Sequence, residues 1–313
     1  FFQYGMRFFK PIQDLSEKYN ILQGAMAASE RIFKLLDTQP EIVSPADAVA
    51  FPEGPIAIEF DHVWFAYHGE DWVLRDVSFR VNPGETIAIV GHTGAGKTTM
   101  TSILLRFYDV QRGSIRIGGV DIKRFGLQDL RSHFGVVLQD PYLFTGTIGT
   151  NIRLGTKGVT NKDVTTAAEQ VNLLDFVNQL PARFDEPVRE RGNGFSTGQK
   201  QLMSFARALA HNPRILILDE ATSSVDTETE LRVREAMSRL VQGRTSLVIA
   251  HRLSTIQSAD RILVMHKAQL REMGTHQELL ALRGIYYKLY QLQYKEEEIQ
   301  ARDAEEAVES EAK

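Results

Sequence analysis

Apolar and polar positions along this chain follow two rhythms, one helical and one strand-like. Over residues 11–36, Ile12, Leu15, Tyr19, Leu22 and Met26 recur at alternating steps of three and four, with Asp14, Glu17, Lys18 and Glu30 on the other faces. That spacing predicts an amphipathic helix. The rhythm lapses over 37–55, where Pro40, Pro45 and Pro52 predict a linker. Residues 56–67 and 73–81 then alternate at period two, with Gly69-Glu70-Asp71 between them, and predict two strands joined by a turn. Further strands are expected at Thr86-Ile87-Ala88-Ile89-Val90, at 114–117, at Val136-Val137-Leu138-Gln139, in the apolar run ending at Asp219-Glu220, and over 245–250.

Helix formers and polar residues dominate 141–193, for example over 163–179, and predict a helical subdomain of about 141–210 inserted in the core. Helices are also expected over 227–241 and 285–293. Apolar strands alternating with helices imply an α/β fold with a mostly parallel sheet covered on both faces. The expected organisation is a lead-in over 1–37, a linker over 38–55, a domain over 56–294 and an acidic tail over 295–313. Glu296, Glu297, Glu298, Glu305, Glu306, Glu309 and Glu311 make that tail a solvated, frayed helix by expectation.

The strongest chemical signal is Gly91-His92-Thr93-Gly94-Ala95-Gly96-Lys97-Thr98-Thr99, between an apolar strand and a helical stretch over 100–106. This is the phosphate-binding loop pattern in its strand–turn–helix setting. Its glycines let successive N–H groups point inward as an anion nest, and the following helix adds its positive end. Lys97 is placed to reach the β- and γ-phosphates, and the Thr98 hydroxyl to ligate Mg²⁺. In a random chain of this length the pattern arises on the order of one time in a hundred.

Composition narrows the picture. The chain has 313 residues, 43% hydrophobic and 24% charged, an ordinary globular mix. A net charge of -4 gives no general electrostatic case for nucleic acid as a partner. The absence of cysteine excludes disulfides, thiol catalysis and Cys-based zinc sites. Phe1-Phe2-Gln3-Tyr4-Gly5-Met6-Arg7-Phe8-Phe9 is aromatic and apolar, yet too short for the roughly 20 residues of a membrane span. The expectation is a chain beginning inside, or just below, the last membrane helix of a longer protein.

A phosphate loop needs a carboxylate at the end of a neighbouring core strand to hold Mg²⁺, and Asp219 is the candidate. Glu220 follows it and, because side chains alternate, is free to lie beside an attacking water. Ser196-Thr197-Gly198-Gln199 opens another helical stretch, with Ser196 as a natural N-cap. His251 follows the strand over 245–250, at the strand edge where ligands collect in open α/β sheets.

Together these residues resemble the ATP-binding cassette (ABC) transporters of the exporter type. The similarity covers about 56–293, and 1–37 is similar to the end of the sixth membrane helix with its extension. Walker A corresponds to Gly91–Thr98 and Walker B to the run ending at Asp219. Gln139 resembles the Q-loop glutamine, a further metal ligand and catalytic residue. Ser223-Ser224-Val225-Asp226 resembles the D-loop, Ala250-His251-Arg252 the switch histidine, and Tyr67 the aromatic that stacks on adenine. The resemblance implies a P-loop NTPase core with an N-terminal antiparallel β subdomain, and an ATPase with Mg²⁺ as its metal. Nucleotide contacts fall to Tyr67, Gly91, Thr93, Gly94, Ala95, Gly96, Lys97, Thr98, Thr99, Ser196, Thr197, Gly198, Gln199 and Asp226. Metal ligation falls to Thr98, Gln139 and Asp219, and catalysis to Glu220, His251 and Gln139.

The signature departs from the family's Leu-Ser-Gly-Gly-Gln at Phe195 and Thr197. Thr197 marks either one half of a heterodimer with an altered site or a neutral change in a homodimer. Ala268 stands where the family usually has a hairpin glycine. The implied partners are a second nucleotide-binding domain and a membrane domain of the same chain. The implied place is the cytoplasmic side of a cell membrane. Two rivals remain: a soluble ABC ATPase acting on DNA or ribosomes, and a regulatory module without turnover.

Overall fold

The computed structural model describes residues 2–156, 158–219, 227–250 and 252–292, with backbone alone for 227–230. It divides into two compact units, 1–43 and 44–313. The first is α1 (Phe2–Asp37), which starts well before the expected helix and includes Pro11. At 36 residues α1 is on the order of 54 Å long, and none of its side chains is buried. Phe2, Phe8, Phe9, Leu15 and Tyr19 are all exposed. Among the described residues, no helix is long and apolar enough to cross a membrane.

The second unit runs β1 (Ile58–Ala66), β2 (Trp72–Val81), β3 (Thr86–Val90), α2 (Lys97–Leu104), β4 (Arg112–Ile117), β5 (Val120–Asp121), α3 (Leu127–Ser132) and β6 (Phe134–Val137). There follow β7 (Gly146–Thr147), α4 (Ile148–Arg153), α5 (Asn161–Gln170), α6 (Leu174–Gln179), β8 (Pro187–Val188) and α7 (Thr197–Ala210). The chain continues with β9 (Ile215–Asp219), α8 (Thr227–Val241), β10 (Thr245–Ile249), α9 (Leu253–Ser258), β11 (Arg261–His266), β12 (Gln269–Gly274) and α10 (His276–Leu282). A last described helix, α11, covers 285–292.

One sheet has the order β12-β11-β3-β10-β9-β6, parallel except for the β11–β12 hairpin; another, β2-β1-β4-β5, is antiparallel. Alternation along the parallel strands divides the core in two. Ile87, Ile89, Ile215, Ile217, Leu247 and Leu263 face the antiparallel sheet and α2, in one apolar cluster. Ala88, Val90, Leu216, Leu218, Val248 and Val264 face the other way, onto residues of α5, α7 and α8. Burial on both faces explains why these strands read as unbroken apolar runs instead of alternating ones.

Residues 44–55, expected as linker, lie within the second unit. Phe51 stacks on the His133 ring at 3.9 Å, its N–H donates to Asp129, and Arg214 donates to the carbonyls of Pro52 and Gly54. Proline breaks secondary structure without preventing burial, so composition alone does not show that this stretch is pinned to the domain. The acidic tail lies outside the described residues.

Candidate functional site at the carboxyl edge of the parallel sheet

The phosphate loop leaves β3 at Val90 and enters α2 at Lys97. It is wedged between two strands. Gly91 has φ +151°, and a Cβ there would lie 2.3 Å from the Met265 carbonyl oxygen of β11. Gly96, with φ +99°, would place a Cβ 2.7 Å from the Leu74 side chain and 2.8 Å from the Val73 carbonyl oxygen of β2. Glycine alone permits both the backbone angle and the approach. Gly96 is also the N-cap of α2, so no side chain caps that helix. Its first N–H groups are left for an anion.

Lys97 is buried, and its Nζ donates to the carbonyls of Gly91 at 2.6 Å and His92 at 3.3 Å. Burial pushes its pKa below the usual lysine range, while the Asp219 charge acts in the opposite direction. The ammonium is thus folded onto its own loop within the field of the Asp219 carboxylate. Asp219 ends β9, and the register Asp219↔Ile249↔Ile89 carries it to the edge from which the loop departs. β6 pairs Val137 with Leu218, so Gln139, two residues beyond β6, emerges exposed at the same edge.

Thr93, Gly94 and Thr98 are exposed, whereas Ala95 and Thr99 are buried. Tyr67, just past β1, is 43% exposed, with its hydroxyl 3.2 Å from Thr99 Oγ1. Its ring meets Phe65 at 4.9 Å and Tyr108 at 5.1 Å, edge to face in both pairs. Tyr108 was missed by sequence reasoning. Its signal was faint: an aromatic pair, Phe107-Tyr108, directly after the phosphate-loop helix. The β11–β12 hairpin was missed as well, although Ala268 was noted as a turn position. Lys267 and Ala268 both have positive φ, as a two-residue hairpin turn requires. The Ala268 carbonyl accepts the Arg75 N–H, joining the hairpin to β2.

Ser196, Thr197, Gly198 and Gln199 stand on a different part of the fold. They open α7, which belongs to the core on the helical face of the sheet. Ser196 Oγ accepts the Gln199 N–H at 3.2 Å, and Gln199 Oε1 accepts the Ser196 N–H at 2.9 Å, a reciprocal capping box. Farther along α7, Arg207 donates to the carbonyls of Asn151 and Tyr142. The buried Asn151 in turn bonds both backbone groups of Phe144. α7 is thereby tied to the segment that follows Gln139. Glu220, Asp226 and His251 lie outside the described residues.

These donors suit a nucleotide with its metal. A loop with no room for a Cβ at Gly91 or Gly96, a cationic Lys97 and the oxygens of Thr98 and Asp219 together have the donor chemistry that a polyphosphate and a hard divalent cation require. The description "ABC transporter" fits residues 74–223 of the chain. The chain is 46% identical over 295 residues to the probable multidrug resistance ABC transporter ATP-binding/permease protein YheH of Bacillus subtilis, covering 94% of this chain and 43% of that one. It is 48% identical over 289 residues to the fatty acid ABC transporter ATP-binding/permease protein of Mycobacterium tuberculosis, covering 92% and 46%. The solved structure of a bacterial Atm1-family ABC exporter with ATP bound superposes with a TM-score of 0.79 at 38% identity, over 92% of this chain and 50% of that one. The chain therefore spans about half the length of the curated relatives it matches. A phosphate loop backed by Asp219 on a parallel sheet, with an antiparallel sheet on one face and helices on the other, is a P-loop NTPase core, and the domain that this core forms, matched over residues 74–223, belongs to the ABC transporter family.

Proposed function

We propose that this chain is the ATP-hydrolysing motor of an exporter, working as a pair of nucleotide-binding domains beneath a membrane domain carried on the same chain. The observation that carries the reading is the buried Lys97 folded over the phosphate loop within reach of the Asp219 charge. Such a lysine is freed when phosphate oxygens replace the Gly91 and His92 carbonyls. The loop N–H groups of Gly91 to Thr99 and the Lys97 ammonium hold the triphosphate, and the Tyr67 ring takes the adenine. Thr98 and Asp219 supply oxygen ligands for Mg²⁺, with Gln139 as a further one at the same edge. When bound, the metal neutralises developing phosphate charge.

Glu220 polarises the attacking water, and His251 stabilises the charge that develops on the transferred phosphate. Ser196, Thr197, Gly198 and Gln199 of a partner subunit close over the γ-phosphate, and Asp226 is a further nucleotide contact. The match to ATP-binding/permease relatives spans 94% of the chain, so it runs into the 36-residue α1. That supports a place on the cytoplasmic side of a cell membrane, with the exposed apolar side chains of α1 meeting membrane-domain helices.

The test is ATP hydrolysis against protein concentration, for this chain and for Glu220→Gln. A rate rising faster than linearly, abolished in Glu220→Gln while ATP binding persists, is the expected result and favours two identical copies. Substantial turnover in Glu220→Gln would overturn the catalytic assignment. Tight binding without turnover at any concentration would favour the heterodimer reading of Thr197.

A further inference from the structure

The hydroxyl of Thr99 points away from its own helix. Two neighbours on α2, Thr101 and Ser102, turn their hydroxyls back onto the Thr98 carbonyl at 2.8 and 3.0 Å, as helical Ser and Thr commonly do. Thr99, buried in the first turn, instead meets the hydroxyl of Tyr67, 32 positions earlier and at the end of a strand in the antiparallel sheet. Its residue is adjacent to Thr98 and two from Lys97, so it belongs to the phosphate loop's own helix. Tyr67 is held at its far end by this bond and at its sides by Phe65 and Tyr108, yet 43% of its surface stays open to a flat ligand.

We infer that the Tyr67–Thr99 hydroxyl pair links base recognition to phosphate binding, with Thr99 and Tyr108 acting as positioning residues that fix the Tyr67 ring for stacking. The inference rests on the proposed adenine role of Tyr67 and adds what sets that ring in place. A tyrosine ring pivots about its χ1 and χ2 angles, and an exposed one samples several attitudes. Tethering its hydroxyl to a buried group on α2 removes those alternatives before the base arrives. The ordering cost is then met in the free protein, which strengthens binding by preorganisation. Because the tether sits on α2, any displacement of the phosphate-loop helix also displaces the stacking surface.

The experiment compares binding of ATP and of inorganic tripolyphosphate, both with Mg²⁺, by titration calorimetry. Tripolyphosphate reports the phosphate cradle without the base. Tyr67→Phe keeps the ring and loses the tether, and ATP affinity is expected to fall about three- to tenfold, the cost of ordering one side chain on binding. Tripolyphosphate affinity stays within about twofold, because no ring is ordered when the cradle alone is filled. Thr99→Val produces the same ATP-selective loss, Thr99→Ser restores affinity, and the Tyr67→Phe/Thr99→Val double variant is no weaker than either single. Multiplying losses in the double variant, or Tyr67→Phe binding ATP like the unaltered protein, would overturn the linkage. Equal loss of tripolyphosphate in Thr99→Val would place that hydroxyl on phosphate and also overturn it. Tyr67→Ala separates the two readings: if it leaves ATP binding unchanged, the adenine role of Tyr67 itself fails.

Discussion

Two helices in this chain begin with small polar residues and glycine, and they treat their first N–H groups in opposite ways. α7 opens with Ser196 and Gln199, whose side chains satisfy each other's backbone donors in a complete capping box. α2 opens with Gly96 in a left-handed conformation and has no side-chain cap. A helix start whose first N–H groups no side chain fills is open to an anion without any rearrangement of its own cap. The phosphate loop thus leaves its helix start uncapped, with the Lys97 ammonium on the Gly91 and His92 carbonyls. The start of α7 is complete alone, and in the proposed closed pair it offers a ready-made rim to the γ-phosphate of the other copy.

The contrast breaks most severely at Gly91. Replacing it with Ala sets a Cβ against the Met265 carbonyl oxygen at 2.3 Å, so either β11 or the loop must move. With the added strain of a positive φ, we expect ATP affinity to drop about 100-fold, some 2–3 kcal/mol. Calorimetric titration checks this, and near-normal affinity would mean the loop is not wedged as described.

A smaller effect tests the other helix. Ser196→Ala removes the cap of α7 and should cost about 1 kcal/mol of stability, seen as a lower midpoint in urea. Binding of ATP to the same chain should change little, since the cradle lies on α2. A loss of single-copy ATP binding to match that of Gly91→Ala would erase the distinction between the two helix starts.

The smallest expected effect is a displaced titration. Burial lowers the Lys97 pKa, and the Asp219 charge partly opposes that fall. The charged lysine is the phosphate-binding form, so binding fades as pH rises through this depressed pKa. Asp219→Asn removes the opposing charge and lowers the Lys97 pKa further. Metal-free binding of tripolyphosphate, followed on the alkaline side, should therefore fade at lower pH in Asp219→Asn. An unshifted profile would show that Asp219 does not act on Lys97.

Much of this was legible before any coordinates. β3, β9 and β10 announced themselves as short apolar runs because both their faces are covered, and α8 coincides with the helix expected over 227–241. The phosphate loop was legible because its requirements are local: glycines, a lysine and a helix start in unbroken sequence. The β11–β12 hairpin was not. Ile262, Leu263, Val264 and Met265 form an apolar run like the others, but the turn carries Lys267-Ala268 where a glycine would have signalled it. The packing of 44–55 was hidden for another reason, since its anchors, His133, Asp129 and Arg214, are far away in sequence.

Sequence by itself determined which residues have the chemistry of phosphate, metal and helix capping, because each of those depends on neighbours within a few positions. Only the tertiary structure decided what stands beside them. The strand order β11-β3-β10-β9-β6 carries Met265 against Gly91 and Asp219 and Gln139 to the edge shared with Lys97. The pairing of β1 in the antiparallel sheet brings Tyr67 to Thr99. Strand pairing is a contact between distant segments, fixed by register and burial on both faces of a sheet, and no local pattern encodes it.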